Sequence, residues 1–516
     1  MHAPATYDAD HFGSLTELHF TQDRYLVMDF ASLPDRRAER DPQGPSVSDG
    51  RRSLTNAQFL HRVRAAARHL EDLGVESGDV VALKLTNRAE FVLLLFASWR
   101  LGATVTPVNP KLTDVEVARQ LADSGARLVV VEDSTRAEDG VVTLAVDDLY
   151  EVTAGEDRAS DPDPTALALL IYTSGTTGVP KGVMLDHANI DAMTEMASKA
   201  LELGPADRSL LILPLFHVFG VVVSVLTPLV VGACVVIADR FDPHTFFDII
   251  ERERPTFFSA VPTIYNMLAA LPDAVRPDTS SVRYGICGSA PAPAELLTRF
   301  EARYGFPLLE GYGLSETSCA CTVNPLAGPR RAGTVGLPFP GQEIRIVDES
   351  GRALAPGENG EVLVRGANVM RGYLGRADET ATTIVDGWLH TGDVGHLDAD
   401  GYLTLAGRSK DVIIRGGENI YPKEIEDVLA GDPSVLEVAV IGEPNEKWGE
   451  VVVAYVQPVS GRSVDPTELE ALCARSLSGY KRPTAYFVVE AIPTNAVGKI
   501  DKISLHAAHA AASAGA

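Results

Sequence analysis

Tyr172-Thr-Ser-Gly-Thr-Thr-Gly-Val-Pro-Lys-Gly182 is the stretch whose reading decides the fold. It grows out of the apolar run Ala166–Tyr172 and sets three glycines, four aliphatic hydroxyls and one lysine in eleven residues. Glycines let backbone N–H groups approach phosphate oxygens, while hydroxyls and Lys181 add donors and charge. An apolar strand running into such a loop reads as a phosphate cradle. It is not a Walker A loop, which ends in Gly-Lys-Ser/Thr; here Pro180-Lys181-Gly182 stands instead.

Outward from this loop the chain alternates two periodicities. Asn56–Leu73 carries Phe59, Leu60, Val63, Ala66 and Leu70 at helical spacing. Val80–Leu85, Arg127–Glu132, Leu210–Pro214, Ala233–Ala238 and Val451–Val456 are β-branched runs that read as strands. Such alternation favours an α/β fold of parallel sheets covered by helices. Thr153–Thr165, rich in Asp, Pro and Gly, reads as an exposed linker. From about Gly333, closely spaced turns at Pro340–Gly341, Ser350–Gly351, Glu358–Gly360 and Asp400–Gly401 announce a smaller β-rich unit. An α+β block follows Arg408, and the Ala-rich end His506–Ala516 reads as a frayed tail.

Composition narrows the function. A chain of 516 residues suggests about three compact units. A net charge of −25 repels phosphate backbones and excludes nucleic acid as the main partner. Hydrophobic residues at 45% and charged residues at 22% describe a globular protein. Five cysteines with no CxxC pair favour a reducing cytoplasm. Residues 1–30 lack a basic-then-apolar signal layout. Leu210–Ile237 is long and apolar, but Pro214, His217, Gly220, Pro228 and Gly232 interrupt it, so it reads as buried core and not as a transmembrane segment.

Four further motifs follow in order: Gly311-Tyr-Gly-Leu-Ser-Glu-Thr317, Gly387-Trp-Leu-His-Thr-Gly-Asp393, Gly407-Arg-Ser-Lys-Asp-Val-Ile-Ile-Arg-Gly-Gly-Glu-Asn-Ile-Tyr-Pro422 and Pro493-Thr-Asn-Ala-Val-Gly-Lys499. With the phosphate loop, they make the chain resemble the adenylate-forming enzymes over roughly residues 30–505, most closely a stand-alone acyl- or aryl-CoA ligase. The resemblance implies a large N-terminal domain at 1–407, made of two α/β subdomains and a β-rich part at about 333–407. A hinge at 408–412 and a small mobile α+β lid domain at 413–516 complete it. It also implies ATP, Mg2+ and coenzyme A as co-substrate, with a carboxylic acid activated to acyl-AMP and passed to the CoA thiol. A carrier-protein thiol is the alternative acceptor, and a homodimer stays open.

Residue roles follow from the same resemblance. Lys499 bridges the substrate carboxylate and the α-phosphate, a task suited to a compact charge; alone, a lysine in a Gly-Lys turn is an ordinary surface residue. Ser174, Gly175, Thr176, Thr177, Gly178 and Lys181 cradle phosphates. Glu316 is the magnesium ligand with Thr173 as second contact, since a hard dication prefers carboxylate oxygen. Asp393 accepts from the ribose hydroxyls and Arg408 helps hold ribose or phosphate. Gly288-Ser289-Ala290-Pro291, Gly311, Tyr312, Gly313 and Ser315 form the adenine side. Lys410 is the hinge, and Gly416 and Gly417 line the thiol tunnel.

For the acyl pocket the resemblance points to Phe216, His217, Val218, Gly220, Val261, Gly288, Gly311, Gly313 and Ser318–Cys321, with His217 as gate beside the carboxylate. None of these is Arg or Lys, and none is acidic, which disfavours a second carboxylate or an amino acid. The lining suits a medium or long fatty acid or an aryl acid. Ile414 stands where some aryl-CoA ligases carry a second lysine, which lowers the aryl reading. Neither Gly-x-Ser-x-Gly nor His-Glu-x-x-His occurs, so serine and zinc hydrolases find no support.

Overall fold

The computed structural model describes residues 28–133, 141–150, 163–173, 180–290, 292–494, 500–502 and 504–507. The expected linker Thr153–Thr165 lies largely outside these residues, as does the end of the tail from 508.

The helix expected over Asn56–Leu73 forms as Asn56–Asp72 because Thr55 caps it. The Thr55 hydroxyl accepts from the Gln58 N–H, and the Gln58 side chain accepts from the Thr55 N–H. Phe59, Val63, Ala66 and Leu70 form its buried stripe. The helix Ala89–Arg100 has no polar face; all twelve residues are buried. It sits in one core that takes Val47 and Leu211 from one sheet and Val105 and Leu169 from another. Its buried charges are paired, Arg100 with Asp35 at 2.6 Å and Glu90 with Arg88 at 2.8 Å, which offsets their desolvation.

The first of these sheets has nine strands. Its parallel centre runs through Leu308–Tyr312, Tyr284–Cys287, Phe257–Ala260, Arg208–Leu211, Cys234–Ile237 and Pro45–Asp49, with antiparallel strands at both edges. The second, of seven strands, centres on Leu167–Thr173, Thr104–Pro107, Val80–Lys84 and Ala126–Val131. The run Leu210–Ile237 is buried core, as its interruptions indicate: two strands flank the helical turns Val218–Val221, Val222–Leu226 and Thr227–Val230. The middle turn widens to π register just before Pro228, which has no N–H to give the Ser224 carbonyl. The Ser209 hydroxyl donates to that carbonyl instead, at 2.8 Å. Among the described residues no helix is long and apolar enough to cross a membrane.

A five-stranded antiparallel sheet follows: Glu343–Val347, Gly360–Arg365, Ile384–Val385, Trp388–Leu397 and Leu403–Arg408. Not all of this region stays in it. Gly372–Tyr373 leaves to pair with Lys181–Asp186 at the edge of the seven-stranded sheet. After the turn Ser409–Asp411, a last sheet of five strands packs Ile413, Ile420, Val440, Val452 and Ala454 against Ile425 and Leu469 of the helices Pro422–Ala430 and Pro466–Ser476. The fold is thus mixed α/β, with a large N-terminal and a small C-terminal domain.

Candidate active site

Two antiparallel strands flank the glycine- and hydroxyl-rich stretch. Leu167–Thr173 runs antiparallel to Lys181–Asp186, with Thr173 opposite Lys181 and Tyr172 opposite Gly182. Ser174, Gly175, Thr176, Thr177 and Gly178 lie outside the described residues, but their stem is anchored. The Tyr172 hydroxyl donates to Asp123 at 2.7 Å, and burial together with that carboxylate pushes the phenol pKa up. Lys181 forms an ion pair with Glu379 and lies 5.1 Å from the centre of the Tyr373 ring.

The parallel strands Tyr284–Cys287 and Leu308–Tyr312 end side by side, and open α/β sheets bind ligands beyond such carboxyl ends. Gly288, Ser289 and Ala290 follow one strand and Gly313 the other; Pro291 lies outside the described residues. Three glycines there serve backbone packing. An added Cβ would meet the Thr322 carbonyl at 2.9 Å from Gly311, the Cys319 carbonyl at 2.0 Å from Gly313, and the Pro214 carbonyl at 2.6 Å from Gly220. Gly288 differs, since a Cβ there would meet the Phe219 ring at 3.3 Å. Ser318 and Cys319 both hold positive φ, 55° and 123°, where the chain folds under Gly313. Ser315 opens the same short turn, accepting at its carbonyl from the Ser318 N–H. Asn368 pins the segment, donating to the Thr317 carbonyl and accepting from the Ser318 hydroxyl, each at 2.7 Å.

Asp393 faces this end from the antiparallel sheet. Its register partner is Arg408, whose Nε lies 3.0 Å from Oδ1, and the Tyr312 hydroxyl donates to Oδ2 at 2.5 Å. The structure thus brings Tyr312, Asp393 and Arg408 together from three strands. Burial, then the Asp393 charge, drive the Tyr312 phenol far above its usual pKa.

Glu316 accepts from the Tyr373 hydroxyl at 2.9 Å and borders, with Thr391 and Arg408, a cavity of about 70 Å3. The Glu316 carbonyl takes the Met370 N–H, tying it to the strand Gly372–Tyr373 beside Lys181–Asp186. Among the described residues no three His, Cys, Asp or Glu side chains converge on one point. A single carboxylate suits a cation that takes its other ligands from phosphate and water, so these residues fit Mg2+ carried by a nucleotide.

On the apolar side, Phe216 and His217 are half-buried with ring centres 6.2 Å apart, and His217 precedes the helical turn Val218–Val221. Val261 packs against the main core. Lys410 is exposed in the turn Ser409–Asp411. Gly416 and Gly417 both have positive φ, 62° and 88°. A Cβ at Gly416 would meet the Trp448 ring at 3.0 Å, whereas Gly417 faces open space. Thr494 and Ile500 pair as an antiparallel bridge, but Lys499 between them lies outside the described residues.

Sequence reasoning missed Glu310, Tyr373 and Glu379. Glu310 is buried at the foot of the Gly311–Gly313 segment; Oε1 accepts from the Ala292 N–H at 3.1 Å, and Oε2 has no hydrogen-bond partner among the described residues. Its signal was a single acid directly after the apolar run Phe306–Leu309. Tyr373 and Glu379 belong to no motif quoted above, and only their pairing with the strand Lys181–Asp186 reveals them.

Residues 34–374 match the family described as AMP-binding enzyme, and residues 424–499 match the AMP-binding enzyme C-terminal domain. The chain is 40% identical over 479 residues to a feruloyl-CoA synthase of Amycolatopsis sp, covering 91% of this chain and 97% of that protein. It is 38% identical over 495 residues to an indoleacetate–CoA ligase of Aromatoleum aromaticum, covering 92% and 97%. It superposes on the o-succinylbenzoate coenzyme A synthetase of Bacillus subtilis in complex with ATP and magnesium ion. That match has a TM-score of 0.82 and 34% identity, covering 91% of this chain and 98% of the other. ATP and Mg2+ serve adenylate-forming enzymes generally, and coenzyme A is the co-substrate of their CoA ligases. With matches in both domains and across nearly the whole length of relatives that join acids to coenzyme A, the chain belongs to the AMP-binding enzymes, among their AMP-forming acid–CoA ligases.

Proposed function

We propose that the chain activates an aryl or arylalkyl carboxylic acid and joins it to coenzyme A. The observation that carries this substrate class is a run of partly buried rings, Phe216, His217 and Phe219, the last lying against Gly288 at the end of its strand. Aromatic faces of this kind suit another ring better than a coiled chain. Relatives named for feruloyl and indoleacetate substrates support the same class.

The residue roles follow. Asp393, already oriented by Tyr312 and Arg408, offers its remaining lone pairs to the ribose hydroxyls. Gly288–Pro291, Gly311, Tyr312, Gly313 and Ser315 border the adenine. The loop from Ser174 to Gly178 and Lys181 hold the phosphates, while Glu316, steadied by Tyr373, and Thr173 hold Mg2+, which supplies charge screening when bound. Lys499 draws the carboxylate to the α-phosphate; an acyl oxygen bonds to phosphorus as pyrophosphate leaves. The chain then turns at Lys410, and the thiol passes Gly417 to attack the acyl carbon, releasing AMP. Trp448 packs against Gly416, so of the two glycines Gly417 carries the open path.

The test is a panel of benzoic, arylacetic, phenylpropenoic and straight-chain fatty acids, scored for AMP release with and without CoA. We expect kcat/KM for the best aryl acid to exceed that for the best fatty acid roughly tenfold or more. A fatty acid leading the panel would overturn the substrate class, and AMP release with no thioester formed would overturn CoA as acceptor.

A further inference from the structure

Lys181 stands at the start of the strand Lys181–Asp186 with its side chain only 16% exposed, so its charge needs a counter-ion whether or not nucleotide is present. Glu379 is that counter-ion in the structure, and a locked turn puts it there. Tyr373 pairs with Val183 on that strand, and the Leu374 N–H donates to the Gly182 carbonyl at 2.8 Å. The chain then folds back. The Thr380 hydroxyl accepts from the Tyr373 N–H at 2.9 Å and donates to the Arg376 carbonyl at 2.9 Å. Gly372, at φ 139°, lets Thr380 sit so close that a Cβ would meet it at 2.5 Å. Glu379, next to Thr380, therefore reaches Lys181 from a fixed position.

A second cation makes this pair exchangeable. Arg376 Nη1 lies 3.2 Å from Glu379 Oε1. When a polyphosphate takes Lys181, Glu379 keeps Arg376, and neither charge is left alone. When pyrophosphate departs, Glu379 is in place to recover the lysine.

We propose that Glu379 is a positioning residue for the nucleotide: it holds Lys181 before ATP enters, competes with the polyphosphate for it, and so eases pyrophosphate release. This rests on reading Lys181 as a phosphate contact. The pair is partly exposed, so the competition is modest, on the order of two- to fivefold in affinity.

The experiment measures ATP binding by calorimetry without acid or CoA, and inhibition of the complete reaction by pyrophosphate. Glu379→Gln is expected to lower the Kd for ATP and the Ki for pyrophosphate by about two- to fivefold. In a Lys181→Gln background the same change is expected to do nothing, because the competed group is gone. Asp378→Asn, which removes an equal charge one residue away, serves as control and is expected to shift ATP affinity less. The counter-ion role is overturned if Glu379→Gln leaves both constants unchanged, if Asp378→Asn matches it, or if its effect persists without Lys181. Should Lys181→Gln alone leave ATP affinity untouched, the phosphate reading of Lys181 fails and takes the proposal with it. If Lys181→Gln weakens ATP while Glu379→Gln is silent, only the counter-ion role fails.

Discussion

Asp393 shows what single residues contribute: both of its oxygens are engaged by protein, so its orientation is set before a nucleotide arrives. Tyr312→Phe keeps the ring and deletes the 2.5 Å hydrogen bond. We expect the KM for ATP to rise about ten- to a hundredfold, since a bond to a charged acceptor is worth about 1.5–3 kcal/mol, read from initial rates against ATP. Glu310 gives a pH signature. Burial lifts its carboxyl from 4.5 to about 7, against the Ala292 N–H, which lowers it. Below the ordinary value both folded and unfolded chains hold the proton, and the group contributes nothing. Between 4.5 and about 7 the unfolded chain ionises while the folded one keeps its proton, so stability falls as pH rises. Above that window the full cost, roughly 3 kcal/mol at most, is in place. Glu310→Gln should therefore unfold at a higher temperature than wild type at alkaline pH, the gap closing as pH falls. Melting midpoints that run parallel across the window would rule Glu310 out as the responsible group.

At the scale of elements, the turn under Gly313 and the turn at Gly417 make a contrast. A Cβ at Gly313 collides with the Cys319–Ala320 peptide, 2.0 Å from the Cys319 carbonyl and 2.4 Å from the Ala320 Cα. The collision falls where Ser318 and Cys319 already hold strained φ. Gly313→Ala should displace this turn and suppress ATP–pyrophosphate exchange by about a hundredfold, near 3 kcal/mol. Gly417, at φ 88°, has free space around it. Gly417→Leu should cost only about 1–2 kcal/mol of stability for its φ, spare exchange, and lower thioester formation by filling the thiol's path. Equal damage to both half-reactions in the Gly417 variant would show that this turn does not guide the thiol.

For the whole molecule the question is whether the two domains turn about the segment Ser409–Asp411. Lys410→Pro fixes one torsion near −65° and removes a donor, so pyrophosphate exchange should persist while CoA-dependent synthesis fails. Lys499→Ala should give the opposite split: adenylation falls by at least about 3–4 kcal/mol of lost charge stabilisation, while thioester formation from supplied acyl-AMP survives. The pair is measured by exchange assays beside single-turnover transfer from acyl-AMP. Wild-type thioester rates in the Lys410 variant would end the hinge reading.

Local chemistry and periodicity were legible in the sequence alone. The strand running into a glycine- and hydroxyl-rich loop, the helix from Asn56, the β-rich stretch and the family-bearing motifs are each written within a few neighbouring residues, because helical periodicity, strand alternation and glycine-rich turns act over that range. Even the buried run Leu210–Ile237 gave itself away by its prolines and glycines. The contacts between motifs were not legible. Tyr312 meets Asp393 across 81 residues and Glu316 meets Tyr373 across 57, and no periodic pattern encodes such partners. At Gly220, Gly311 and Gly313 the place of a Cβ is taken by main-chain carbonyls, since the direction of a missing Cβ depends on what the fold brings opposite it. Glu379 reaches Lys181 for the same reason: strand pairing joins segments that the chain keeps far apart, and only tertiary structure decides which charge lies beside which.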